Sequence, residues 1–142
     1  MVEELSQFLL PPQRMDVRAV ALAQVLGLTG TSEGVTTIRQ CPQLLQTLVT
    51  LLLDPADVMA TDACLALINL SADTGTVSTL LQVSNMVSNL YKLIQDKESK
   101  QADKATQILS NLTRDITSCN KVFSQLQVQR IFHVIVFGHC YD

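Results

Sequence analysis

The feature that most constrains this chain is a pattern that returns every 42 residues. The run Ala63-Cys64-Leu65-Ala66-Leu67-Ile68-Asn69-Leu70-Ser71 has a degraded copy upstream, at residues 21–29, and another downstream, at residues 105–113. The copies align without a gap. Ala21, Ala63 and Ala105 correspond, as do Leu28, Leu70 and Leu112, and Thr29, Ser71 and Thr113. Asn69 and Asn111 match each other, with Gly27 in the first copy. Within each copy apolar residues recur at spacings of three and four, the period of a helix. Helical sequence repeating at a fixed interval of this size stacks similar units side by side. No unit can bury its apolar face alone, so neighbours share one continuous core.

The segments between the copies supply the rest of the unit. Residues 4–10 read as a short apolar helix, ended by Pro11-Pro12, since proline lacks the donor and clashes with the preceding turn. Asp16 is expected to cap a helix striped by Val17, Val20, Ala21, Val25 and Leu28. Residues 31–40 suit one short helix. Pro42 sits at a favoured first helical position. Leu44, Leu45, Leu48, Val49, Leu51, Leu52 and Leu53 then make a helix apolar almost all round, which predicts burial between neighbours. Asp54-Pro55 breaks it, and residues 58–70 carry the organising motif. Short, long, long is the grammar of an armadillo repeat. It recurs at residues 76–83, at Met86, Val87, Leu90, Leu93 and Ile94, and at Ala102, Ala105, Ile108, Leu109 and Leu112. A fourth unit begins near Ile116, with a short helix around Val122, Phe123 and Leu126 and a second over residues 128–137. The expected fold is therefore all-α: a right-handed armadillo/HEAT-like solenoid of about three repeats over residues 1–127. A divergent apolar tail, residues 128–142, forms an incomplete fourth repeat, and both ends look uncapped.

Composition agrees with this reading and narrows function. Hydrophobic residues make up 47% of the chain but aromatics only 4%, so the core is one of Leu, Val, Ile and Ala. The few glycines and prolines fall between apolar runs, which argues against an all-β fold. Net charge is −3 with no basic stripe, which disfavours phosphate-led binding of nucleic acid. No stretch reaches the ~18 uninterrupted apolar residues of a membrane span, and the start, with Glu3 and Glu4, is acidic where a signal peptide is basic. The expected location is the cytoplasm, with the nucleus as the alternative. Cys41, Cys64, Cys119 and Cys140 show no C-x-x-C pair and read as small hydrophobes. His133, His139 and Cys140 lie close in sequence but lack a fourth metal ligand. There is no glycine-rich phosphate loop, no G-x-S-x-G and no H-E-x-x-H, so neither an enzyme nor a cofactor is expected. Asn69-Leu70-Ser71 and Asn111-Leu112-Thr113 match the glycosylation sequon but fall inside predicted helices, and are read as unmodified.

In this architecture the third helices line the concave face. Stepping back four and seven residues from Asn69 gives Leu65 and Asp62; from Asn111, Gln107 and Lys104; from Gly27, Ala23 and Val20. The candidate protein-binding residues are therefore Asp62, Leu65, Asn69, Lys104, Gln107 and Asn111. Asparagine is a mediocre helix former, so its recurrence one residue before a core leucine asks for a reason. Its amide can hydrogen-bond the backbone of an extended peptide, or it can bond a neighbouring helix end and stiffen the stack.

The sequence also resembles a known family, the HGH-one homologues, also called brain protein 16. The resemblance rests on Phe8-Leu9, Pro11, Arg14, Asp16, Ala19, Val25-Leu26 and Leu28-Thr29-Gly30 in the first stretch. Asp62-Ala63, Ala66-Leu67, Asn69-Leu70, Ala72-Asp73 and Gly75 carry it in the second, and Ala105, Leu109 and Asn111-Leu112 in the third. It runs from about residue 5 to residue 127. It implies a non-enzymatic chaperone or adaptor that assists folding of translation elongation factor 2. The implied partners are that client, the TRiC chaperonin and an Hsp90 co-chaperone. Family members are considerably longer, and residues 128–142 do not resemble their continuation. Two other readings compete: a general armadillo peptide-binding adaptor in transport or signalling, and a truncated form without function. An importin-like groove carries Trp four residues before the Asn, where this chain has Leu65 and Gln107. The window 131–137, rich in β-branched residues and free of charge, predicts self-association through the tail.

Overall fold

The computed structural model describes the backbone of residues 1–137 and the side chains of residues 1–127. The chain is helical throughout this span, in the order α1 (Val2–Phe8), α2 (Met15–Leu28), α3 (Ser32–Arg39), α4 (Pro42–Leu51), α5 (Asp57–Ala72), α6 (Thr74–Leu81), α7 (Met86–Gln95), α8 (Ala102–Leu112) and α9 (Ile116–Phe137). Three rows of helices result. α2, α5 and α8 pack side by side; α1, α4 and α7 form a second row; α3, α6 and α9 form a third. These rows are the third, second and first helices of an armadillo-type solenoid.

Local chemistry sets the breaks. Pro42 opens α4 at its first turn, and the Asp54 carboxylate accepts from the Ala56 N–H at 2.9 Å, turning the chain into α5. The Thr31 hydroxyl accepts from the Gly34 N–H at 3.0 Å and caps α3. Gly34 has no substitute there: a Cβ would stand 1.9 Å from the Leu28 carbonyl oxygen, so only glycine lets α3 leave so close to the end of α2. Asn85 turns the chain between α6 and α7 in the left-handed region, at φ 67°. At the head of α9 the Ser118 N–H reaches the Asp115 carboxylate at 2.7 Å, and this bond holds the Asp115 carboxyl below the usual carboxylate range.

One core runs through the stack. Leu22, Leu44, Leu45, Leu48, Leu67, Leu70, Leu80, Leu90 and Leu112 are fully buried, together with Ala63, Cys64, Ala66, Ala105 and Ile108. Small residues at the third-helix positions let α2, α5 and α8 lie close together.

The structure corrects the sequence reading in four places. Arg14, not Asp16, is the N-cap of α2; Asp16 lies in the first turn, bonded to Arg14 at 2.7 Å and to the Val17 N–H at 2.9 Å. A carboxylate there still favours the helix start electrostatically. Leu53 is exposed, because α4 ends at Leu51 and the chain turns outward. Leu109 is only partly buried, whereas its counterpart Leu67 is fully covered. The expected break near residue 127 is absent: α9 is one helix of 22 residues, and no Gly or Pro between Ile116 and Phe137 interrupts it. The side chains of the tail window, and His139 and Cys140, lie outside the described residues. No single helix among those described is long and apolar enough to cross a membrane.

Candidate functional site

The row formed by α2, α5 and α8 presents the candidate residues in register. Leu65, Asn69 and Gln107 are exposed; Asp62, Lys104 and Asn111 are half-buried. All six project from α5 and α8. The α2 counterparts, Val20, Ala23 and Gly27, extend the same columns, and Val20 is 61% exposed.

The two asparagines are committed, in part, to the stack. The Asn69 amide donates to the Thr29 hydroxyl of the preceding repeat at 2.9 Å. The Asn111 amide donates to the Ser71 hydroxyl at 3.1 Å and to the Ile68 carbonyl at 3.3 Å. Each hydroxyl is held in turn by its own helix, Thr29 donating to the Leu26 carbonyl and Ser71 to the Ile68 carbonyl. A ladder results in which the amide of one third helix bonds the C-terminal hydroxyl of the previous one. Arg114 closes the far side of Asn111, donating to its carbonyl at 2.7 Å and to the Ala72 carbonyl at 3.2 Å. The Asn69 side-chain carbonyl has no hydrogen-bond partner among the described residues, and Asn69 is exposed. Gly27 carries no amide, and the first repeat has no predecessor among the described residues to bond.

Two more amides make the same kind of step. Asn89, buried on α7, donates to the Val49 carbonyl of α4 at 3.0 Å, and Gln101, buried at the head of α8, donates to the Thr61 hydroxyl of α5 at 2.8 Å. Periodicity alone missed these pairs and the hydroxyl partners of the asparagines. The signal was present: Thr29, Ser71 and Thr113 stand in register two residues after the Gly/Asn column. In the sequon at 69–71 the Asn69 amide bonds the preceding repeat and the Ser71 hydroxyl accepts from the following one, while Thr113 of the second sequon donates within its own helix.

Charge on this face is unevenly satisfied. Lys100 pairs with Asp57 at 2.7 Å across the starts of α8 and α5, and that bond holds the Lys100 ammonium above the usual lysine range. One turn further along, Asp62 and Lys104 make no ion pair among the described residues. Beneath them burial pushes the Cys64 thiol up to about 11, against the pull of Lys104, so the thiol stays protonated and inert at neutral pH. No group of three His, Cys, Asp or Glu converges on a metal among the described residues. The face offers hydrogen bonds, apolar area and two open charges, the means of recognition.

Fold and face define a class, a helical repeat scaffold of the armadillo type. A designed armadillo repeat protein superposes with a TM-score of 0.75 over 87% of this chain and 52% of its own, at 20% identity. A second engineered protein gives 0.73 over 97% of this chain and 56% of its own, at 17% identity. No family model matches the chain. Within the class, the chain matches proteins named Protein HGH1 homolog. The zebrafish (Danio rerio) protein is 38% identical over 125 residues, covering 88% of this chain and 33% of that protein. The human (Homo sapiens) protein is 36% identical over 126 residues, covering 88% and 32%, and the Drosophila melanogaster protein 34% over 133, covering 89% and 36%. The resemblance to the HGH-one homologues thus spans most of the chain, and the chain spans about a third of the length of these relatives.

Proposed function

We propose that this chain is a non-enzymatic protein-binding scaffold of the cytoplasm that assists the folding of translation elongation factor 2, acting with the TRiC chaperonin and an Hsp90 co-chaperone. The observation that carries the reading is the α2–α5–α8 face. Three parallel helices present Val20, Asp62, Leu65, Asn69, Lys104 and Gln107 in columns on a rigid, amide-stapled frame. Such a frame suits an extended or unfolded segment: its geometry is fixed in advance, so the ordering cost falls on the client alone. The client is the one that the resemblance to the HGH-one homologues implies.

The test uses the purified 142-residue chain, immobilised and exposed to a lysate translating elongation factor 2, with captured proteins identified by mass spectrometry. Elongation factor 2 with chaperonin subunits supports the proposal. Transport or signalling adaptors without the elongation factor overturn the client and favour a general adaptor. Capture of heat-shock proteins alone overturns the scaffold role for this chain.

A further inference from the structure

We propose, building on the scaffold reading, that the α2–α5–α8 face recognises an extended segment carrying opposite charges, a basic side chain held by Asp62 and, two or three residues away, a carboxylate held by Lys104. One register column reads Val20, Asp62, Lys104 along the three helices: apolar, acidic, basic. The two charged members are half-buried and have no ion-pair partner among the described residues. Asp57 and Lys100, five and four residues earlier, differ in that they already pair with each other, at an exposed position. Partly desolvated charges of opposite sign on adjacent helices set a register for an incoming chain more than they add raw affinity.

The spacing follows from elementary dimensions. Packed helices lie roughly 8–10 Å apart, and an extended chain rises roughly 3.3 Å per residue. Two or three residues therefore bridge the step from α5 to α8. Apolar side chains flank the charges, with Val20 61%, Val58 50% and Leu65 36% exposed. A third element of the ligand is therefore an apolar residue on the Val20 side of the basic one. The ladder strengthens the case. Asn111 has both ends of its amide engaged, so on α8 Lys104 is left to supply the selectivity that this asparagine does not.

The probes are labelled ten-residue peptides on a Leu/Ala/Ser background. Lys and Glu are placed two or three residues apart in one series, and in the opposite order in the other. Anisotropy titration of the native chain should show preference for one order by roughly ten-fold, the size of one to two kilocalories of lost pairing, weakening as salt rises. The reversal D62K/K104D should prefer the other order, and the neutral pair D62N/K104Q should prefer neither, with helical circular dichroism unchanged in both. Equal binding of the two orders by the native chain overturns the inference, as does a preference that the reversal fails to invert. The scaffold reading is judged separately. If elongation factor 2 is captured equally by native chain and reversal, the charge register is wrong and the client stands. If the peptide preference inverts but the elongation factor is never captured, the register stands and the client falls.

Discussion

The two stacking interfaces of this solenoid are built from different chemistry. Between the first and second repeats the main polar link is a buried ion pair. Arg18 on α2 donates to Asp54 beyond α4 and, through Nε, to the Leu9 carbonyl at 2.8 Å, and both charged side chains are about nine-tenths covered. Between the second and third repeats the more enclosed links are neutral amides, Asn111 to Ser71, Gln101 to Thr61 and Asn89 to Val49, and the ion pairs Lys100–Asp57 and Arg39–Asp73 lie at the solvent-facing edge. Only the Asn69–Thr29 bond of the first interface belongs to the same ladder. The difference follows from what each interface must hold. α1 has seven residues and contributes few core side chains, so a guanidinium that ties the α1–α2 loop to the α4–α5 turn substitutes for missing apolar area. The second interface joins complete repeats and needs only alignment.

Breaking the ion pair gives the largest expected effect. Arg18→Ala leaves Asp54 charged and enclosed, which costs about 3–5 kcal/mol. Thermal denaturation reads the loss. Hydrogen exchange should locate it, with protection falling in α1 and α2 and held in α8. The double change Arg18→Met with Asp54→Asn should recover part of it, because a neutral pair carries no stranded charge. Equal loosening of both interfaces would show that they are not distinct.

The core comes next. Leu67→Ala should cost roughly 2–5 kcal/mol, since Leu67 is fully enclosed. Leu109→Ala, its partly buried counterpart, should cost about half as much. Denaturant midpoints that shift equally for the two would mean that the third repeat is covered as fully as the second.

Smaller effects probe the amides. Asn89→Ala removes a neutral hydrogen bond at a buried site and should cost about 1 kcal/mol. Gln101→Met should lie near zero, because the bond to Thr61 is lost together with a buried carbonyl oxygen that has no partner. Chemical denaturation of the two variants side by side separates them.

A last effect, at Cys64, is confined to alkaline pH. Its pKa rises from the ordinary 9.0 to about 11 on folding, so the folded state holds the proton more tightly. That contribution is complete below pH 9 and disappears as pH climbs through 11. Cys64→Ala should flatten the alkaline fall in stability over this window, and an unchanged slope would place the titration elsewhere.

Much of this was legible in the chain because a repeat writes the same physics three times. The 42-residue interval located α2, α5 and α8 within two residues at each end, and the columns 63, 67 and 70 gave most of the core, with Leu28 and Leu109 only partly covered. The Arg18–Asp54 tie was not legible: it happens once, joins residues 36 apart, and Arg18 has Ala60 as its counterpart in the next repeat. The length of α9 was missed because spacing alone suggested a break where no residue enforces one. The asparagine column was visible, but a column does not say where its amides point. Only the position of the preceding hydroxyl does.

The alignment of the third helices depends on that ladder, and a double-mutant cycle measures it directly. Asn111→Ala and Ser71→Ala, singly and together, isolate the coupling across the second interface, and Asn69→Ala with Thr29→Val does so across the first. The ladder predicts a favourable coupling of about 0.5–1.5 kcal/mol in each cycle. Strict additivity in both, with the asparagine variants as stable as the native chain, would contradict it and return both amides to the face as free groups for a bound peptide.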